Sequence, residues 1–222
     1  MSFDLQLVLD SLPLLAMGAL VTVEITAVAV SLGVMIGLFV GIAELSRYGY
    51  LRIPAKLYVD FIRGTPLLVQ IFIIYFALPV IIGARIEPFV AAVAACSINS
   101  GAYVAEIFRS GIQSIDKGQT EAGRSLGMSW TQTMVTIIIP QAFRRIIPQL
   151  GNEFIAMLKD SSLVSVIGFE ELTRKGQLII ASTYGSLEIW STVAVIYLVM
   201  TLSISRFVSY LEKRFNGSKK VR

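Results

Sequence analysis

Between residues 13 and 43 the chain carries one acid, Glu24, and no basic side chain; nearly everything else is apolar or small. About 20 apolar residues cross a bilayer as helix, so this block is long enough to span at a tilt. Four further blocks, 65–82, 89–108, 146–167 and 189–207, have comparable length, the fourth being the least apolar. Between them lie polar punctuation marks. "RYGYLRIPAK" reads as a turn and 57–63 as a short amphipathic stretch, followed by Thr65 as helix N-cap and Pro66 at the first helical position. "GARIEP" is a short loop, 111–140 is a glycine-punctuated polar segment, and 169–188 is a polar loop with room for a short helix. The pattern predicts an all-α integral membrane protein of about five transmembrane helices. It forms a single domain over 1–222, without internal repeat or soluble second domain.

Composition agrees. Hydrophobic residues make up 55% and charged residues 15% of 222, with a mean hydropathy of +0.73; a soluble domain usually carries about 25% charged residues. The start, "MSFDLQLVLD", is acidic and lacks the basic region of a cleaved signal peptide, so the first span is expected to remain in the mature protein. A single cysteine, Cys96, excludes a disulfide framework within one chain and a cysteine metal cluster, and the lack of histidine excludes imidazole chemistry and histidine metal sites. Of the 19 basic residues, 15 fall on one side of the five-span arrangement, among them Arg47, Arg52, Lys56, Arg63, Arg109, Arg124, Arg144, Arg145 and the tail's Lys213, Arg214, Lys219, Lys220 and Arg222. The positive-inside rule makes that side cytoplasmic, with the N-terminus outside and the C-terminus inside. The net charge of +4 is thus a topology signal and implies no nucleic acid.

The cytoplasmic segment reads as an elbow of two short helices. Asp116 with Gln119, and Ser129 with Gln132, have capping-box spacing, and Gly127 lies where the chain must turn. Pro140 ends the second helix or starts the next. Glu121 is placed on a first helical turn, where the dipole favours an acid, and Ala122 and Gly123 would let another surface approach the backbone. The segment is either an ordinary interfacial loop or a knob for a socket.

The fourth block carries Asn152, Glu153, Lys159 and Asp160. A charge at the bilayer centre costs about 2.5–3.5 kcal/mol on the insertion scale, whereas an apolar residue returns about 0.3–0.6. Such groups must face other helices or a watered cavity. At about 1.5 Å per residue from Arg145, Glu153 lies roughly 12 Å deep and Asp160 roughly 22 Å, and 153, 157 and 160 share one helical face. Either Lys159 neutralises an acid and Asp160 caps a broken helix, or these acids hold a cationic group. "KDSSL" reads as a helix restart with Asp160 or Ser161 as N-cap, freeing the N–H groups of Ser162 and Leu163 for a carboxylate. An acid for the cation and an N-terminus for the carboxylate together describe a basic amino acid. Asn99 and Tyr103, four residues apart, form the wall of the same cavity or else bond between helices. Glu106 with Arg109 is a structural i, i+3 pair. Glu24 is a weaker site candidate, and Gly33, Gly37 and Gly41 form a packing stripe.

Glu121, Ala122 and Gly123, then Gly127, then Ile137 to Pro140, resemble the EAA loop of ABC importer permeases, with Gly123 for its second alanine and Ile139 for its leucine. "FIRGTPLLVQIF", "SGAYVAEIFRSGIQSIDKGQTEAGRSLGMS" and "MLKDSSLVSVIG" are similar to the polar amino-acid subfamily of those permeases, including arginine, lysine and histidine types. The resemblance implies a type I importer permease in the cytoplasmic (inner) membrane of a prokaryote. It implies a second permease copy (a homodimer is favoured over a paralogue), two cytoplasmic ATP-binding subunits and an extracytoplasmic amino-acid-binding protein. Residues 121–124 and Gly127 would then form the coupling helix in a groove of the ATPase. ATP and magnesium would sit on that subunit, and no cofactor is expected here. The chain itself lacks a G-x-x-x-x-G-K-[ST] phosphate loop and is not expected to be an enzyme. A neutral polar substrate such as glutamine is the alternative within this class. Outside it stand a secondary carrier with Glu153 and Asp160 as proton relay, disfavoured by the lack of repeat, and a Ser–Lys hydrolase built on Lys159, Ser161 and Ser162.

Overall fold

A computed structural model describes residues 3–216, all helix, turn or irregular chain with no strand among them; the tail residues Lys219, Lys220 and Arg222 lie outside the described residues. The helices in chain order are α1 (Leu5–Glu44), α2 (Gly49–Arg63), α3 (Leu67–Ile82) and α4 (Pro88–Gln113). Then come α5 (Lys117–Ser125), α6 (Trp130–Thr133), α7 (Ile139–Asp160), α8 (Leu172–Thr183) and α9 (Ser186–Asn216). Among the described residues α1, α4 and α9 are each long and apolar enough to cross a membrane, and α2 with α3 forms a pair bent by 104° that passes the same test together. α7 is not among them, carrying Arg144, Arg145, Glu153, Lys159 and Asp160 within 22 residues.

α1 begins earlier than the apolar block because Asp4 caps it, its carboxylate accepting from the Leu7 N–H at 3.1 Å. It runs parallel to α4 along the glycine stripe. A Cβ on Gly33 would lie 2.8 Å from the Ser100 Cβ, and one on Gly37 would lie 2.6 Å from the Val104 Cβ. The stripe therefore exists because two backbones meet there. Glu24 is exposed on the opposite side of α1, about 30 Å from Glu44 along the axis, one hydrocarbon thickness away.

Two further expectations are corrected. The segment read as a turn at 47–56 is already helical from Gly49, with Pro54 inside α2. Pro66, not Thr65, is the residue before α3, and the Thr65 hydroxyl turns back to donate to the Phe61 carbonyl at 2.9 Å. A π turn lies within α3, Ile73–Ala77, and another immediately precedes α7, Met134–Ile138, each ending two residues before a proline, Pro79 and Pro140. Proline removes a donor and crowds the carbonyl four residues back, and widening the preceding turn relieves both.

Three apolar clusters hold the chain. The central one joins Ile25 and Ala29 of α1, Ile71 of α3, Ala92, Ala95 and Cys96 of α4 and Met157 of α7. A second, Leu15, Leu172, Ile179, Ile189 and Val193, ties α8 between α1 and α9. The third, Ile115, Ile138, Ala142 and Ile146, roots the elbow.

Candidate functional site

The break between α2 and α3 makes the site. Arg63 ends α2, Gly64 to Pro66 bend the chain, and Leu67 starts α3. The bend leaves carbonyls at the end of α2 without helical partners, as at any helix C-terminus. Gln70, buried one turn into α3, answers them: its Nε2 donates to the Ile62 carbonyl at 2.8 Å and to the Thr65 carbonyl at 3.1 Å. Its Oε1 accepts from the Asn99 Nδ2 at 3.0 Å, which fixes the orientation of Asn99 on α4. One side chain thus staples the bend to the neighbouring span.

A cavity of about 450 Å³ opens at this bend, lined by Arg63, residues 64–67, Asn99, Tyr103, Asp160 and Leu163. Ligand pockets commonly measure about 300–1,000 Å³. Four residues singled out in the sequence, Asn99, Tyr103, Asp160 and Leu163, therefore meet in one place. Arg63 joins them. Its guanidinium carbon lies 5.4 Å from the centre of the Tyr103 ring, and its Nη1 is 3.6 Å from Glu106, which also holds Arg109 at 2.5 Å. Sequence reading counted Arg63 only as a topology cation. Its position directly before Gly64, Thr65 and Pro66, a backbone break at membrane depth, was the available signal.

Asp160 is exposed into this space and makes no hydrogen bond or ion pair among the described residues. It does not cap a new helix. Its backbone stays helical (φ −68°, ψ −24°), and α7 tightens without interruption into a 3-10 segment, Ser161–Ile167. The Ser161 hydroxyl is buried and donates back to the Leu158 carbonyl at 2.8 Å. The restart expected at "KDSSL" is therefore absent. In a 3-10 segment the backbone N–H groups are used internally, so Ser162 and Leu163 offer no helix-end donors; Leu163 is among the residues that line the cavity and Ser162 is not.

Glu153 lies away from the cavity lining. It is buried between α7 and α4, accepting from the Ser100 hydroxyl at 2.9 Å, with no cationic partner among the described residues. Ser100 is the residue after Asn99, so the second acid is bonded to the helix that supplies Asn99 and Tyr103 to the cavity. Asn152 and Lys159 are exposed on another side of α7, and Lys159 forms a direct ion pair with neither acid.

The elbow has the expected parts in a different arrangement. Asp116 caps α5 through the Gly118 N–H at 2.7 Å, without the reciprocal Gln119 bond of a full box. Ser129 and Gln132 do form both bonds of theirs. Gly127 turns the chain with φ +81°. Glu121 falls on the second turn of α5, not the first, where the helix dipole no longer favours an acid. Glu121, Ala122 and Arg124 are exposed, and Arg124 donates to the Met128 carbonyl at 2.9 Å. Gly123 faces inward: a Cβ there would lie 2.8 Å from the Thr133 Cγ2 and 3.1 Å from Ile137. Its smallness lets the two arms of the elbow close on each other.

Sequence reading also missed Glu171, which is wholly buried. It caps α8, accepting from the Thr173 and Arg174 N–H groups, and receives the Tyr197 hydroxyl of α9 at 3.0 Å. Beside it the Leu172 N–H donates to the Thr22 hydroxyl of α1 at 3.1 Å.

Comparison with known proteins fits this geometry. Residues 33–217 match the family described as binding-protein-dependent transport system inner membrane component. The glutamine transport system permease protein GlnP of Escherichia coli (strain K12) is 46% identical over 215 residues, covering 96% of this chain and 98% of that protein. The arginine transport system permease protein ArtQ of Bacillus subtilis (strain 168) is 35% identical, covering 98% of this chain and 100% of its own. The L-cystine permease protein TcyL of the same organism is also 35% identical. A crystal structure of an amino acid ABC transporter with histidines superposes with a TM-score of 0.92 at 46% identity over 96% of this chain and 100% of that one. The methionine transporter MetNI, at 21% identity and a TM-score of 0.77, shares the fold. The bent α2–α3 pair, the cavity beside it and the elbow thus occur in a chain that belongs to the family of inner-membrane components of binding-protein-dependent transport systems.

Proposed function

We propose that this chain is the permease subunit of an ATP-driven importer that moves a polar amino acid, preferably a basic one, into the cytoplasm. The carrying observation is that Arg63 and Asp160 line one cavity. A cation and an anion on facing elements match the carboxylate and ammonium of an α-amino acid, with Asn99 and Tyr103 completing the polar wall. The preference for a basic side chain rests on Glu153. A buried carboxylate held by one hydroxyl and no cation is costly to keep, and a substrate cation reaching past Asn99 and Ser100 supplies the missing charge. Glutamine is the second reading, favoured by the relative at 46% identity and by the absence of Glu153 from the cavity lining.

The rest of the assembly follows from the family and the elbow. α7 and the 3-10 segment make the fifth crossing with α1, the α2–α3 pair, α4 and α9, the N-terminus lying outside and the elbow inside. Two copies of the permease enclose the pathway. Each elbow seats its exposed Glu121, Ala122 and Arg124 in one of two ATPase subunits, which carry ATP and magnesium, while an extracytoplasmic binding protein delivers the amino acid. Closure of the ATPase pair moves the elbow and, through the cluster at its root, α4 and α7.

Ligand titration of the purified permease–ATPase complex tests the substrate assignment. A hydrogen bond to a charged group contributes about 1.5–3 kcal/mol, so Glu153→Gln should weaken arginine on the order of tenfold to a hundredfold and leave glutamine unchanged. Asp160→Asn and Arg63→Gln should weaken both. Glutamine binding that exceeds arginine binding, with no response to Glu153→Gln, would establish the neutral reading; two silent cavity variants would remove the site.

A further inference from the structure

α2 has three faces, and only two of them are accounted for. Ala55, Val59 and Ile62, spaced i, i+4, i+7, are buried against the chain. Tyr58 fastens this side, its hydroxyl donating to the Ile98 carbonyl of α4 at 2.6 Å. A second face carries Arg52, Lys56, Asp60 and Arg63, spaced i, i+4, i+8, i+11, all exposed. A third carries Tyr50, Ile53, Leu57 and Phe61, spaced i, i+3, i+7, i+11, each more than half exposed. The helix follows the end of α1 at Glu44, on the same end of the bundle as the elbow, and turns by 104° into α3. Its C-terminal residue, Arg63, lines the cavity.

We propose that α2 lies in the cytoplasmic membrane interface and binds anionic phospholipid headgroups through Arg52 and Lys56, with Arg47 beside them. Ile53, Leu57 and Phe61 would be sunk among the acyl chains. A helix with an apolar row next to a basic row, on the side that carries most of the chain's lysine and arginine, has the form of an interfacial anchor. Charge complementarity selects the lipid. Arg52 and Lys56 have no ion-pair partner among the described residues, and Asp60 is the only acid on their face. A zwitterionic headgroup brings its own ammonium with its phosphate and so offers those two cations no net counter-charge. Because Arg63 terminates the same helix, lipid occupancy fixes the end of α2 on which the cavity is built. This inference rests on the cytoplasmic placement of the elbow end and not on the identity of the transported amino acid.

The test uses the whole permease–ATPase complex in nanodiscs of phosphatidylcholine and phosphatidylglycerol, with one lipid at a time carrying brominated chains. A fluorophore is attached at Leu57→Cys; the native Cys96 is fully buried and does not compete. Quenching is expected from both lipids, and more strongly when phosphatidylglycerol carries the bromine. Each basic side chain near an anionic leaflet is worth about fivefold in partition, so Arg52→Gln with Lys56→Gln should reduce the preference for phosphatidylglycerol by about twenty-fivefold. Arg52→Lys with Lys56→Arg should keep it. Equal quenching by the two lipids, or a preference unchanged by the double glutamine variant, overturns headgroup recognition. No quenching by either lipid overturns the interfacial placement, and crosslinking from the same cysteine then identifies a second permease copy or an ATPase subunit as the occupant.

Discussion

Replacing Gln70 with leucine should damage the cavity from behind, without touching its lining. Gln70 is 5% exposed and its amide is fully engaged, donating to the Ile62 and Thr65 carbonyls and to the Thr65 hydroxyl, and accepting from Asn99. Leucine fits the volume but leaves the Asn99 amide without its partner, and leaves the Ile62 carbonyl only the longer contacts from the Thr65 N–H at 3.4 Å and hydroxyl at 3.5 Å. A buried polar group stripped of its partner costs about 1–3 kcal/mol, partly offset by about 1 kcal/mol returned by the added apolar burial. The purified complex should melt at lower temperature. Its substrate affinity should fall by at least about tenfold, because Asn99 and the bend at Gly64 lose their register. The cycle with Asn99→Ala separates the two effects: side chains in one hydrogen-bond network couple by about 0.5–3 kcal/mol, so the double variant should lose less than the sum. A Gln70→Leu complex that melts and binds like the native one would show that α2–α4 packing alone holds the bend and that Gln70 has no part in shaping the cavity.

Gly37→Ala should lower the yield of folded permease by overpacking of about 1–3 kcal/mol, since its Cβ would meet Val104 at 2.6 Å, whereas Gly49→Ala meets nothing nearer than 3.8 Å and should be neutral; thermal melting compares them. Gly127→Ala, at φ +81° in open space, should destabilise the elbow by about 1–2 kcal/mol, with Gly127→Asn milder, as read by hydrogen exchange over 117–133. Glu121→Lys, on an exposed position, should leave membrane yield intact and reduce substrate-stimulated ATP hydrolysis; normal stimulation would remove Glu121 from the coupling surface. Glu171→Ala should open the α8 region to proteases, because it removes the cap of α8 and the partner of Tyr197 together, about 3 kcal/mol or more.

What the sequence made legible is what local physics controls. The bilayer demands long apolar runs, so α1, α4 and α9 stand out, and the glycine stripe in α1 announces a close helix pair because no other residue permits one. Gly127 followed by the Ser129–Gln132 box marks the elbow for the same reason: a left-handed turn and a capped helix start are decided within a few residues. The misreadings occur where a distant partner decides. Thr65 and Ser161 have the chemistry of N-caps, yet both hydroxyls turn back to carbonyls of the preceding helix, Phe61 and Leu158: Pro66 stands between Thr65 and the start of α3, and the 3-10 segment continues from α7 with no free start to cap. Gly123 looked like room for a partner, but the room is taken by Thr133 and Ile137 from the second arm of the elbow.

The candidate site was half legible for a related reason. Asp160, Asn99 and Tyr103 advertise themselves because a charged or amide side chain inside an apolar block carries an insertion cost that something must offset. Arg63 and Gln70 sit near the edge of such blocks, where polar residues are ordinary, so insertion cost gives no alarm and the Gly64–Pro66 break beside them is the one signal. Their roles come from the 104° bend between α2 and α3, which carries an interfacial arginine to the cavity and leaves carbonyls that the Gln70 amide, one turn on, reaches at 2.8 and 3.1 Å. A polar residue within one turn of a Gly-Thr-Pro break between two apolar stretches is therefore a better place to look for site residues than composition alone suggests: backbone opened at membrane depth must be re-satisfied by side chains, and the space it opens is where a polar substrate can be held.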